Sequence, residues 1–91
     1  MADTSTKKAQ LKRVFALKRG DRARSLRLYT REGKLLTGRV DNSIAAARIG
    51  EWTVISPAEL DDSGYLIVAM QCGSSDVRLF SPADAYMVLA D

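Results

Sequence analysis

The sequence predicts a mostly β fold: a small, strongly bent antiparallel barrel with an N-terminal α-helix. A stretch with helical spacing of apolar residues comes first, and five or six short strand-like runs follow it with turn residues between them. Such a series is typical of a small barrel or sandwich. At 91 residues the chain has room for a single domain with a thin core. The expected divisions are a disordered end, the helix, the barrel and a possible insertion within the barrel, at residues 1–5, 6–19, 25–91 and 42–64.

The helix is predicted over residues 6–19. Leu11, Val14 and Phe15 follow the i, i+3, i+4 spacing of one helical face. Gly20 then supplies the residue type with which helices commonly end. The remaining side chains of this stretch are mostly basic, so we expect a helix with one narrow apolar stripe and a basic polar side.

A β-hairpin follows the predicted helix. Apolar and polar residues alternate over 26–31, which is the period of a half-buried strand. Glu32 and Gly33 provide the turn, and residues 34–40 form the second strand.

The second half of the chain predicts further strands. Residues 52–56 have the pattern of a strand that Pro57 ends. The most apolar run, residues 65–70, predicts a buried strand, and shorter strands are expected at 77–80 and 86–89. The pattern leaves open whether residues 42–64 are a loop insertion or contain core strands.

Charge is divided unevenly along the chain. Residues 1–48 hold thirteen of the fourteen Lys and Arg residues and four acids, whereas residues 49–91 hold one base and seven acids. This division favours contact with a polyanion through the first half, or head-to-tail association of several copies. A thin core and apolar edge strands, for which 65–70 and 86–89 are the candidates, also favour a homo-oligomer.

The residue types present argue for binding rather than catalysis. The chain has no histidine and one cysteine, Cys72, which removes the commonest general base, the commonest metal ligand and any Cys/His dyad. We therefore expect no enzyme activity, no cofactor and no metal. A single cysteine fits a reducing cytoplasm, and no run approaches the roughly 18 apolar residues that span a membrane, so a cytoplasmic protein without a membrane partner is expected.

Residues 26–41 resemble the first sequence motif of the Sm-like (LSm/Hfq) family of RNA-binding proteins. That motif pairs an alternating strand with a hairpin of the form Gly-x-x-Leu-x-Gly-x-Val/Ile. In this chain the motif positions are Gly33, Leu36, Gly38 and Val40. The resemblance implies a ring of several copies that binds single-stranded RNA. Gly-x-x-Leu-x-Gly also occurs in unrelated SH3-like barrels, so another small barrel is the alternative for the fold.

The resemblance is looser in the second half. Where the bacterial Hfq branch has Tyr-Lys-His at the end of its fourth strand, this chain has Phe80-Ser81-Pro82. The contact to RNA in the central pore of the ring is therefore not carried over to this chain.

The candidate RNA-binding residues lie in the predicted helix end and hairpin. They are Lys18, Arg19, Arg22, Arg24, Tyr29, Gly33, Lys34 and Leu36. The four basic residues at 18–24 could contact phosphates, or could form a solvated surface partly paired with Asp21 that offsets the helix dipole. Tyr29 matches the family position at which an aromatic ring stacks on adenine; the alternative is a ring packed across a strand pair.

A second function stays open beside RNA binding. A small structural or protein-interaction subunit could use the same basic face to dock an acidic protein partner. Nucleic acid that co-purifies with the protein would favour the first function.

Overall fold

The computed structural model describes residues 11–47 and 50–90. Within them the chain forms nine strands, one turn of 3₁₀-helix and one short α-helix. In chain order these are β1 (Leu11–Arg13), the 3₁₀ turn (Val14–Ala16), β2 (Arg22–Ala23), β3 (Leu28–Tyr29), β4 (Leu35–Leu36), β5 (Arg39–Val40), α1 (Ser43–Ala46), β6 (Trp52–Leu60), β7 (Leu66–Cys72), β8 (Ser75–Ser81) and β9 (Tyr86–Val88). The prediction of a mostly β fold is confirmed.

The strands form two antiparallel sheets. The first sheet has the strand order β1-β9-β3-β4, and the second has the order β2-β6-β7-β8-β5. The β7–β8 hairpin is the most regular pairing, since its register runs without interruption from Leu66↔Ser81 to Cys72↔Ser75. The chain passes between the sheets after β1, β2, β4 and β8, and the strongly curled sheet forms a half-barrel around one core.

Alternate side chains of β7 and β8 enter this core, as do Trp52 and Val54 at the start of β6. Leu66, Val68 and Met70 of β7 are buried while the residues between them are half-buried, as the period of two requires. Trp52 of β6 is the largest buried side chain, at 1% exposure, and Met87 of β9 joins it from the first sheet. Trp52 is thus a core residue, as is common for a large aromatic side chain.

The predicted N-terminal helix is wrong for residues 11–19; residues 6–10 lie outside the described part of the chain. Strand β1 pairs with β9, and only one 3₁₀ turn follows it. The spacing that suggested a helical face places Val14 in the core but leaves Phe15 63% exposed. The backbone N–H and C=O groups along both edges of β9 need hydrogen-bond partners, and β1 provides them along one edge. This pairing outweighs the local preference of residues 11–13 for a helix.

The hairpin is confirmed, but its second strand is divided. Leu28 pairs with Leu36 across the turn at Gly33, which has a φ of 92° and so suits glycine. Residues 34–40 then contribute β4 to the first sheet and β5 to the second. Gly38 lies between the two strands, where a Cβ atom would be 3.1 Å from the Phe80 carbonyl oxygen and would overlap the Leu28 side chain. A glycine is needed at this crossing because the sheets approach so closely there.

Pro57 does not end its strand, contrary to the sequence prediction. Strand β6 continues to Leu60, with register shifts against β7 between Val54 and Ser56 and between Ser56 and Glu59. Pro57 lies in the second irregularity, where a missing N–H interrupts no regular ladder. Residues 42–64 thus include α1 and a strand that lies between β2 and β7.

The two runs expected at sheet edges are not edge strands. Strand β7 lies between β6 and β8, and β9 lies between β1 and β3. These apolar strands take interior positions because both of their edges are then paired with neighbouring strands. The edges of the described sheets are instead β1, β4, β2 and β5.

The N-terminal segment offers a direct test of this fold. Leu17 is 2% exposed in the core, so Leu17→Ala should lower the free energy of unfolding by about 2–5 kcal/mol. Phe15→Ala, at an exposed position, should change it by less than about 0.5 kcal/mol. Urea denaturation followed by tryptophan fluorescence measures both. An amphipathic helix with Phe15 on its buried face predicts the reverse order.

Candidate nucleic-acid interface

An open groove lies beside the segment that joins the second sheet to the first. Its lining combines two arginines with an aromatic and apolar wall: Arg24, Ser25, Leu26, Arg27, Tyr29, Ala46, Gly50 and Trp52. We call it the first groove. Residues 24–27 form one side, β3 contributes Tyr29, and the start of β6 contributes the buried Trp52.

Backbone hydrogen bonds hold the arginine-bearing side in place. The Arg24 N–H donates to the Val88 carbonyl (3.0 Å), and the Ala90 N–H donates to the Arg22 carbonyl (2.8 Å). The Arg27 N–H donates to the Ser25 hydroxyl (3.2 Å), which closes a tight local turn. Because the backbone is tied to the chain around β9, the side chains of Arg24 and Arg27 are left to face solvent.

The electrostatic setting is positive. Three ion pairs join Lys12 to Asp21 (2.9 Å), Arg22 to Glu51 (3.2 Å) and Arg78 to Asp41 (3.6 Å). Exposed basic side chains that form neither an ion pair nor a ring contact within the described residues are Arg13, Lys18, Arg19, Arg24, Arg27, Arg31 and Lys34. Such a set is available to phosphates without first breaking an ion pair.

The structure brings together only two of the eight candidate residues in the first groove, Arg24 and Tyr29. The other six lie elsewhere. Lys18 and Arg19 are exposed near the turn at Gly20, Arg22 is exposed beside Glu51, Gly33 and Lys34 are in the β3–β4 turn, and Leu36 is half-buried in β4. The candidate residues from Lys18 to Leu36 therefore do not form a continuous rim of the first groove.

Two residues of the first groove were missed by the sequence prediction. Arg27 and Tyr29 are two positions apart in the alternating stretch 26–31. Side chains two positions apart project from the same side of a strand, so this pattern could have predicted Arg27. Trp52 reaches the groove through the pairing of β2 with β6, in which Ala23 is the Cα partner of Trp52. No local sequence pattern predicts a contact between residues so far apart in sequence.

Asp21 pairs with Lys12 rather than with the neighbouring arginines. Its carboxylate accepts hydrogen bonds from the Lys12 ammonium and from the Lys18 N–H, both at 2.9 Å. Partial burial raises the pKa of Asp21, but the bond from the Lys18 amide and then the hydrogen bond and charge of Lys12 outweigh it and lower the pKa below 3.8. Asp21 therefore leaves Arg19 and Arg24 unneutralised.

The described residues show no cluster of metal-binding side chains and no helix that could span a membrane. Within 11–47 and 50–90, no three acidic or cysteine side chains lie close enough together to hold a metal ion. Cys72 is a free, buried thiol. No helix in that part of the chain has the length and apolar character needed to cross a membrane.

The Asp21 contacts predict a specific pH dependence. A carboxyl whose pKa is lowered by folding adds stability above its unfolded pKa near 3.8 and loses it as the pH falls through the folded value. At pH 7, Asp21→Asn should cost up to about 1 kcal/mol of unfolding free energy, and the difference from wild type should shrink below pH 4. Urea denaturation from pH 7 to pH 2.5 measures it, with Asp62→Asn as the exposed control. A cost that stays constant over this range would show that the charge of Asp21 is not involved.

Comparisons of the chain with models of protein families, with curated proteins and with solved structures gave no match. A functional proposal therefore rests on the arrangement of the chain's own residues.

Proposed function

We propose that this chain is a non-enzymatic module that binds single-stranded RNA in the first groove. One observation carries the proposal: Arg24, Arg27 and Tyr29 line the same groove. Guanidinium groups bind phosphates, and an aromatic ring stacks on a base without needing a particular sequence.

The groove suits a single strand better than a duplex. An aromatic ring can stack only on a base whose face is free, and a duplex buries both faces of its bases. Half-buried Leu26 adds apolar surface beside Tyr29, so a base that leaves water finds apolar contact there. Trp52, at 1% exposure, supports this wall from the core. Two arginines at one side then place the phosphates next to that base.

The proposal includes assembly of several copies into a ring of the Sm-like kind in the cytoplasm. The motif at Gly33, Leu36, Gly38 and Val40 supports it, because these residues turn the chain from β3 through β4 to β5. The charge division supports it as well, since the basic region of one copy can face the acidic region of the next.

Removal of a groove arginine should weaken binding and its dependence on salt. Each of Arg24→Ala and Arg27→Ala should weaken binding to all sequences and reduce the slope of log affinity against log salt by about 0.7, the value for one phosphate contact on a single strand. Fluorescence anisotropy with labelled oligoadenylate and oligouridylate at several salt concentrations measures this.

Arg78→Ala is the matched control for that experiment. It removes the same charge from β8, outside the first groove, and should leave most of the affinity and the slope unchanged. If the three variants lose affinity equally, binding depends on net charge and not on the groove. If the intact protein binds no RNA at low salt but captures an acidic protein, the interaction-subunit function replaces this one.

Assembly is tested separately by mass in solution. Light scattering should give a multiple of the 10.0 kDa chain mass, and the multiple should fall as salt screens the contact between opposite charges. A mass of one chain at all concentrations and at low salt would exclude the ring.

A further inference from the structure

The register of the first sheet places four residues in one row across its four strands. Tyr29 is the Cα partner of Leu35 on one side and of Tyr86 on the other, and Tyr86 is in turn the partner of Arg13. Directly opposite residues of antiparallel strands project from the same face. The row therefore reads Leu35, Tyr29, Tyr86, Arg13 from β4 to β1.

This row lies on the outer face of the first sheet. Leu28 and Met87 neighbour the two tyrosines along their strands and point to the opposite face, where both are buried at 1% exposure or less. Leu35, at one end of the row, is 65% exposed, and Arg13, at the other end, is also exposed. Both tyrosines are half-buried.

The two rings have no partners among the described residues. Within the described residues, neither ring stacks on another ring or on a cation, and neither hydroxyl has a hydrogen-bond partner. A fully buried tyrosine usually finds a protein partner for its hydroxyl, whereas these two half-buried side chains leave their hydroxyls to solvent. Two neighbouring rings without such partners are free to contact a ligand.

Each tyrosine opens into a different groove. Tyr29 lines the first groove, and Tyr86 lines a second groove that shares no residue with the first. The second groove is formed by Arg13, Thr30, Arg31, Glu32, Leu36, Pro82, Asp84 and Tyr86. Its lining includes two arginines and two carboxylates, and within the described residues none of the four forms an ion pair, so Arg13 is available to a phosphate beside the Tyr86 ring.

We infer that Tyr29 and Tyr86 form a platform for two bases of one RNA strand, one base on each ring. Arg24 and Arg27 contact phosphate at one end of this platform, and Arg13 contacts phosphate at the other. The inference rests on the proposed function and extends it from one base to two. Side chains opposite each other on neighbouring strands lie about 5 Å apart, and aromatics on the strands of a four-stranded sheet can stack two or three bases.

The test compares tyrosine variants on two probes. One probe is a labelled single-stranded oligoadenylate, and the other is an abasic strand of the same length that keeps only the sugars and phosphates. Tyr29→Leu and Tyr86→Leu should each weaken oligoadenylate binding by about tenfold or more, with the salt slope unchanged. Neither should change binding to the abasic strand. Arg13→Ala should weaken binding to both probes and lower the salt slope by about 0.7.

Tyr65→Leu is the matched control. Tyr65 lies in the β6–β7 loop, 44% exposed and outside both grooves, so its replacement should leave both probes bound as before. Thermal unfolding of each variant checks that leucine, which keeps an apolar side chain in each strand, preserves the fold.

The outcomes separate the inference from the proposed function. If Tyr29→Leu and Arg24→Ala weaken binding while Tyr86→Leu and Arg13→Ala behave like Tyr65→Leu, the single-base function stands and the platform is overturned. If Tyr86→Leu weakens both probes equally and lowers the unfolding temperature, Tyr86 is a packing residue and the platform is again overturned. If the intact protein binds neither probe at low salt, the proposed function itself is wrong.

Discussion

The pairing of β9 with two partners is the constraint on which the first sheet and both grooves depend. Strands β1, β3 and β4 contain only two or three residues each, and β9 joins β1 to β3 near the end of the chain. The backbone of Arg22, Ala23 and Arg24 is also tied to this region, through Val88, Leu89 and Ala90. When contacts join residues so far apart in sequence, the chain loses loop-closure entropy before the contacts contribute any stabilising energy. The proposed binding surface therefore forms only when the two ends of the described part of the chain meet.

The second sheet supplies the rigid support for this arrangement. Strands β7 and β8 pair over seven residues each without a shift in register, and their buried side chains alternate along the strands. Trp52 links that sheet to the first groove, because its side chain is part of the core and also lines the groove wall. Short strands and bent segments thus present the charged side chains, while a regular sheet fixes their position.

The elements that the sequence predicts well are those with a strong local period. The β3–β4 turn at Gly33 and the strands β7 and β8 all follow from alternation and turn residues within a few positions. The predicted helix was wrong because β1 takes its hydrogen bonds from a strand more than seventy positions later, which no window of local sequence contains. The end of β6 differs from the prediction because an irregularity in the pairing accommodates Pro57, which in a regular strand would be a stop. The candidate site was predicted to the same extent: Tyr29 and Arg24 lie together, but the buried Trp52 and the half-buried Tyr86 reach their grooves through long-range pairing.

The irregular end of β6 also affects how copies of this protein can meet without aggregating. Strand β2 pairs with Trp52 and Thr53 of β6, and the backbone of Gly20 and Asp21 binds Val54. Within the described part of the chain, no strand pairs with the outer edge of the later residues, where a strand from another molecule could approach. A strand from another molecule would find no N–H donor at Pro57. It would also have to follow a β6 backbone whose pairing register shifts twice. It could not extend a continuous ladder of hydrogen bonds, even though Leu60 is 64% exposed nearby. Uncontrolled sheet growth, of the kind that leads to fibrils, is therefore blocked along this edge by the same bulges that let the strand bend around the core.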